Sequence, residues 1–129
     1  MIPIRFRPTD AELAILQVLW DRGPSTVRQV HDVLSAARDT GYTTTLKLMQ
    51  IMAGKGLVTR DESERTHVYT ARHGRDDTQR QLVADLLDRA FGGSAAALVM
   101  QALKSQPASV AEMAEIRRMI REYRKERGQ

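Results

Sequence analysis

A chain of 129 residues with 42% apolar content is long enough for one compact domain, or a small domain with an appendage, and too apolar for wholesale disorder. The absence of cysteine excludes disulfides, thiolate metal sites and cysteine nucleophiles, and is compatible with a reducing compartment. The formal net charge of +4 is a mild excess of base, which admits a nucleic-acid partner without requiring one.

Aromatic residues make up 5% of the chain, with Trp20 its single tryptophan, so the core must be aliphatic. That composition favours helices over a β-sandwich. The opening residues, MIPIRFRPTD, lack the apolar core of a signal peptide. No apolar run approaches the roughly 18 residues needed to span a bilayer. A cytoplasmic protein with no direct membrane insertion is expected.

The first predicted helix begins at Thr9. Thr9-Asp10-Ala11-Glu12 has the Ser/Thr-x-x-Glu form of a capping box, and Leu13, Leu16, Val18, Leu19 and Trp20 follow at helical spacing. Gly23-Pro24 ends it. Ser25 or Thr26 caps the second helix, which carries Val27, Val30, Val33 and Leu34 as its stripe and is predicted to run to about Arg38. Gly41 breaks the pattern. The third helix is predicted from Thr43 or Thr44 to Gly54 or Gly56. A helical wheel places Thr45, Leu48, Met49 and Met52 on one face and Thr43, Lys47 and Gln50 on the other, flanked by Leu46, Thr44 and Ile51. No acidic residue lies between Asp39 and Asp61.

The period then changes. Leu57–Arg60 reads as a strand, Asp61–Arg65 as a polar turn, and Thr66–Thr70 as a returning strand. After Gly74 the chain is helical again, with Leu82, Val83, Leu86, Leu87, Ala90 and Phe91 forming a wide apolar stripe up to Gly92-Gly93. Ser94 caps a short helix from Ala95 to Leu103. Beyond Pro107, Ser109-Val110-Ala111-Glu112 repeats the capping-box pattern, and Met113, Ile116, Met119, Ile120 and Tyr123 stripe the last helix. That helix ends in a basic run, Arg117, Arg118, Arg121, Arg124, Lys125 and Arg127, for which the helix dipole and an Arg118–Glu122 pair provide structural reasons.

Three helices followed by a hairpin is the order of a winged helix-turn-helix. The fold expected is therefore mainly α: a winged domain over 1–73 and a helical dimerisation domain over 74–129. In such motifs the second helix of the pair enters the major groove. Thr43 and Thr44 supply hydroxyls and N-terminal amides suited to phosphate. Lys47 can pair with guanine and Gln50 with adenine, Leu46 can touch a thymine methyl, and Arg60 and Arg65 on the wing can meet phosphate or a minor groove. The three C-terminal helices barely enclose a core alone, so Leu82, Leu86, Phe91, Leu98, Leu103, Ile116 and Ile120 are the candidates for pairing with a second copy.

A winged helix that binds protein instead of DNA is the alternative. An enzyme is not expected: His31, His67 and His73 show no triad, metal-ligand or phosphate-loop spacing, and no catalytic residue, metal or cofactor is indicated.

The sequence resembles the penicillinase-repressor family, the BlaI/MecI type. The residues that carry the resemblance are Thr9-Asp10-Ala11-Glu12-Leu13, Leu19-Trp20, Gly23-Pro24, Thr26-Val27-Arg28-Gln29-Val30 and Gly41-Tyr42-Thr43-Thr44-Thr45-Leu46-Lys47. Lys55-Gly56-Leu57-Val58, Arg65-Thr66-His67-Val68-Tyr69 and Phe91-Gly92-Gly93-Ser94 continue it. The resemblance implies a homodimeric repressor on a palindromic double-stranded operator. It also implies release by proteolysis, in response to a membrane metallopeptidase sensor or another protease. By position the bond would be Gln101-Ala102, where Leu98-Val99-Met100-Gln101-Ala102 departs from the Asn-Phe bond of well-known members. Thr45 stands where a larger aliphatic is common, which implies looser packing there. The cysteine cluster of copper-responsive relatives is absent.

Overall fold

The computed structural model describes residues 7–128; residues 1–6, which open the N-terminal segment read above, and Gln129 lie outside the described residues. The element order is α1 (Asp10–Arg22), α2 (Val27–Ser35), α3 (Tyr42–Lys55), β1 (Val58–Asp61), β2 (Val68–Ala71), α4 (Arg75–Ala90), α5 (Ala95–Ser105) and α6 (Val110–Glu126). The chain forms two compact units, Met1–Asp85 and Leu86–Gln129, and α4, which buries Thr78 and Asp85, runs across the division between them.

In the first unit the local signals act as read. The Thr9 side chain accepts from the Glu12 amide at 3.2 Å, and the Glu12 carboxylate accepts from the Thr9 amide at 2.9 Å. Thr26 and Gln29 form a second such box at the start of α2. Each supplies partners for amides that a helix start leaves unpaired. Gly23 ends α1 at φ 83, and Gly56 ends α3 at φ 83, conformations that favour glycine.

Several boundaries differ from the sequence reading. Helix α2 ends at Ser35, because the Ala37 and Arg38 amides both turn onto the Leu34 carbonyl at 3.0 Å and tighten the last turn. Helix α3 starts at Tyr42 with Gly41 as its cap residue, so Thr43 and Thr44 lie in the first turn and do not cap it. Both strands begin later than predicted. Leu57 is held by α3, its amide bonding to the Met52 carbonyl at 2.9 Å, and Thr66 and His67 belong to the wing loop. In the hairpin, Val58 faces Ala71 and Arg60 faces Tyr69 in antiparallel register.

The core is aliphatic, as the composition requires. Ile15, Val30, Met49 and Met52 are wholly buried, joined by Leu19, Leu57, Val58 and Tyr69. Thr45 is fully buried among them; its hydroxyl donates to the Gly41 carbonyl at 3.5 Å and lies 3.3 Å from His31 Nδ1. A buried hydroxyl is tolerated only when it is bonded, and this one is. The wing is tied to the α1–α2 turn by a two-way bridge: Ser25 and Tyr69 exchange amide-to-carbonyl bonds at 3.0 and 2.8 Å. Trp20 Nε1 donates to the His73 carbonyl at 3.0 Å, and Arg75 both pairs with Asp21 and sits over the Trp20 ring. These contacts fasten the start of α4 to the end of α1.

The second unit is built differently. Ser94 caps α5 through the Ala97 amide, and Ser109 caps α6 through the Glu112 amide, both at 3.1 Å. Yet neither α5 nor α6 buries a single residue. Val99, Met100, Met119, Ile120 and Tyr123 are all about half exposed or more. Arg118 pairs with Glu115, three residues back, and the Glu122 charge also acts on it.

Candidate nucleic-acid interface

Helix α3 has two chemically distinct faces. Thr45, Met49 and Met52 are turned into the core, with Leu48 half-buried beside them, whereas Thr43, Thr44, Lys47 and Gln50 are exposed. The spacing of three and four residues between buried positions leaves the polar residues no other side to occupy. Leu46 is half-buried at the edge between the two faces.

A cleft of about 270 Å³ opens between the start of α2, the outer face of α3 and the wing. Arg28, Tyr42, Leu46, Gln50, Arg65 and His67 are among its lining residues, and no carboxylate is. Of the seven residues expected on this surface, the cleft therefore gathers Leu46, Gln50 and Arg65. Thr43, Thr44 and Lys47 are exposed on α3 outside it. Arg28, Lys47 and Arg65 are in no ion pair among the described residues.

Arg60 is placed differently from Arg65. Its guanidinium lies 3.2 Å from Glu62, and the Tyr69 hydroxyl, followed by the Glu62 charge, holds it above its usual value. Arg60 thus has an ion-pair partner within the wing. The tip beyond it is acidic, with Asp61, Glu62 and Glu64 all exposed. The Ser63 amide donates to Asp61 at 2.9 Å, and that bond, with the Ser63 hydroxyl and the His67 charge, keeps the Asp61 carboxyl below the usual carboxylate range. The wing tip therefore carries three exposed carboxylates, and Arg65 lines the cleft beside α3.

Two residues of this surface escaped sequence reasoning: Arg28 and Tyr42. The Arg28 guanidinium carbon is 4.2 Å from the Tyr42 ring centroid, and the His31 ring meets Tyr42 edge to face at 5.6 Å and 86°. The residues belong to two helices, so no spacing within either helix announces the group. Among the described residues no three His, Asp or Glu side chains are arranged to hold a metal ion, and no helix is long and apolar enough to cross a membrane.

Over residues 8–122 the chain matches the family described as penicillinase repressor. The chain belongs to the penicillinase repressor family. It is 45% identical over 93 residues to the transcriptional regulator BlaI of Mycobacterium tuberculosis, in strain CDC 1551 / Oshkosh and in strain ATCC 25618 / H37Rv; the match covers 70% of this chain and 67% of each relative. Among solved structures, the DNA-binding domain of the repressor BlaI is similar, with a TM-score of 0.51 and 25% identity over 60% of this chain and 93% of that one. Family membership and that likeness agree with the winged-helix architecture described above.

Proposed function

We infer that this penicillinase repressor family member is a sequence-specific DNA-binding transcriptional repressor that acts as a homodimer on a palindromic operator. The observation that carries the reading is the outer face of α3, where Thr43, Thr44, Lys47 and Gln50 are exposed without an acid among them beside the Arg65 flank of the wing. An α-helix fits the major groove of B-DNA, and lysine and glutamine are suited to guanine and adenine edges there. The transcriptional regulators among its relatives point the same way.

The unit up to Asp85 is read as the DNA-binding part and the remainder as the dimerisation part. Support for the second half is that α5 and α6 bury nothing while carrying Leu98, Leu103, Ile116 and Ile120. Leu86, 46% exposed, adds to the same apolar set, and Leu82 and Phe91 are half-buried. Apolar faces of this extent are stabilised by a partner such as a second copy, and in dimers of helix-turn-helix domains the half-sites lie about one DNA turn, or a small multiple, apart.

Release by proteolysis, whether triggered by a membrane metallopeptidase sensor or by another protease, is the regulatory part of the reading. Gln101 and Ala102 are exposed, but they lie inside α5. A protease needs extended backbone, so cleavage there would require α5 to unwind first.

The test is selection from a pool of random duplexes at two salt concentrations, with the protein's mass in solution measured alongside. A palindromic site enriched by a dimer, with affinity falling steeply in salt, is expected. A chain that enriches no sequence would transfer the reading to a protein-binding winged helix.

A further inference from the structure

We propose that the cleft between α2, α3 and the wing seats one phosphodiester strand of duplex DNA, and that Arg28, pre-ordered on the Tyr42 ring, is its phosphate contact. The proposal rests on the DNA-binding reading and adds to it a residue, Arg28, that lies on α2 rather than on the outer face of α3.

Arg28 is exposed on α2, where its guanidinium is held 4.2 Å from the Tyr42 centroid. Attraction to an aromatic ring uses the cation's charge and leaves its N–H donors available, so a stacked arginine can still fork onto an oxyanion. Tyr42 is fixed in turn. The His31 ring packs against it at 86°, His31 Nδ1 lies 3.3 Å from the Thr45 hydroxyl, and Thr45 is wholly buried. A line of contacts therefore runs from the core to the guanidinium. It restricts a side chain that would otherwise lose much rotamer freedom on binding, and that lowers the cost of the contact.

The occupant follows from charge and continuity. Arg28 and Arg65 flank the cleft from α2 and from the wing, and no carboxylate lines it. Gln50 and Leu46 belong both to the cleft and to the helix face proposed to read bases, so a strand lying in the cleft would run on from bases contacted by α3. A sugar–phosphate strand is an extended polyanion of this kind, and contacts to it set register without reading sequence. The acidic wing tip lies beyond the Arg65 side and would turn the strand toward the cleft rather than over the tip.

The experiment measures binding of the full chain to a short duplex of random sequence, by fluorescence anisotropy across a salt series, with thermal melting as a check of folding. For Arg28→Ala the expected result is a logarithmic salt slope shallower by about one and affinity lower by about fivefold at 0.15 M salt, as for one lost phosphate contact. Arg28→Lys restores the slope but only part of the affinity. Tyr42→Phe binds as the wild type, because the ring suffices; Tyr42→Ala loses affinity while keeping the slope, because the charge remains but is no longer ordered. A wild-type chain that binds duplex, with an Arg28→Ala variant that matches it in slope and affinity, overturns the cleft and leaves the repressor reading standing. A folded wild-type chain that binds no duplex overturns both.

Discussion

Lys55, at the end of α3, places its ammonium 2.9 Å from the carboxylate of Glu12, which is 2% exposed at the start of α1. The same carboxylate closes the Thr9 capping box, so one buried group joins the first turn of one helix to the last turn of another. Burial raises the Glu12 pKa, but the Lys55 hydrogen bond, the Thr9 bonds and the Lys55 charge together outweigh it and leave the carboxyl below its ordinary value of 4.5. A carboxyl depressed in the folded state stabilises the fold above its unfolded pKa, and that contribution is lost as pH falls through the folded value. Acid unfolding should therefore be shallower in Glu12→Gln than in the wild type below about pH 4.5. At neutral pH, Glu12→Gln should cost about 1–3 kcal/mol, less than the loss of a wholly buried pair because Lys55 is partly solvated. Lys55→Met should cost more, since it strands a buried carboxylate. Urea melts at pH 7 and pH 4 check both.

Lys47 is exposed on the outer face of α3 with no ion pair among the described residues. As a base-reading residue its removal in Lys47→Ala should weaken operator binding by about 1–3 kcal/mol and relax preference at one position of each half-site. Selection with the variant, followed by titration of the wild-type operator, measures both effects; an unchanged site preference would take Lys47 off the reading face.

The two wing arginines should behave differently. Arg65→Ala should weaken specific and random duplex alike and reduce the salt slope by about one. Arg60→Ala should weaken binding less than Arg65→Ala, since Arg60 must give up its Glu62 pair to meet phosphate. Glu64→Gln should tighten DNA binding by removing an exposed negative charge from the wing tip, most visibly at low salt where the Debye length is long. A loss confined to particular operator bases in Arg65→Ala would make the wing a sequence reader.

Ile120 is 54% exposed on α6, a helix with nothing buried. If a second copy covers that face, Ile120→Asp should raise the dimer dissociation constant by about a hundredfold or more, since a carboxylate would enter an apolar contact. Sedimentation across a concentration series reads the change. Melting of the first unit should be unaltered, because its core draws on none of these residues.

Local chemistry made much of this protein legible before any fold was seen. The Thr9–Glu12 box, the glycines at 23 and 56, the three-and-four spacing of Thr45, Met49 and Met52, and the switch to alternation near residue 57 are each decided by residues within a turn of one another. Such signals survive without tertiary context. The polar side of α3 was legible for the same reason: helical period alone separates Lys47 and Gln50 from Met49 and Met52.

Tertiary structure decided what lies across chain separations. Arg28 joined the candidate interface because Tyr42, on another helix, comes to lie beneath it. Arg60 gained a partner within the wing because hairpin register sets it against Tyr69 and the turn brings Glu62 to it. Helix α3 starts at Tyr42, ahead of the two threonines, because Gly41 takes its cap position. In each case the outcome depended on which partner the fold brought near, and sequence spacing carries no record of contacts between elements that are brought together only when the core closes.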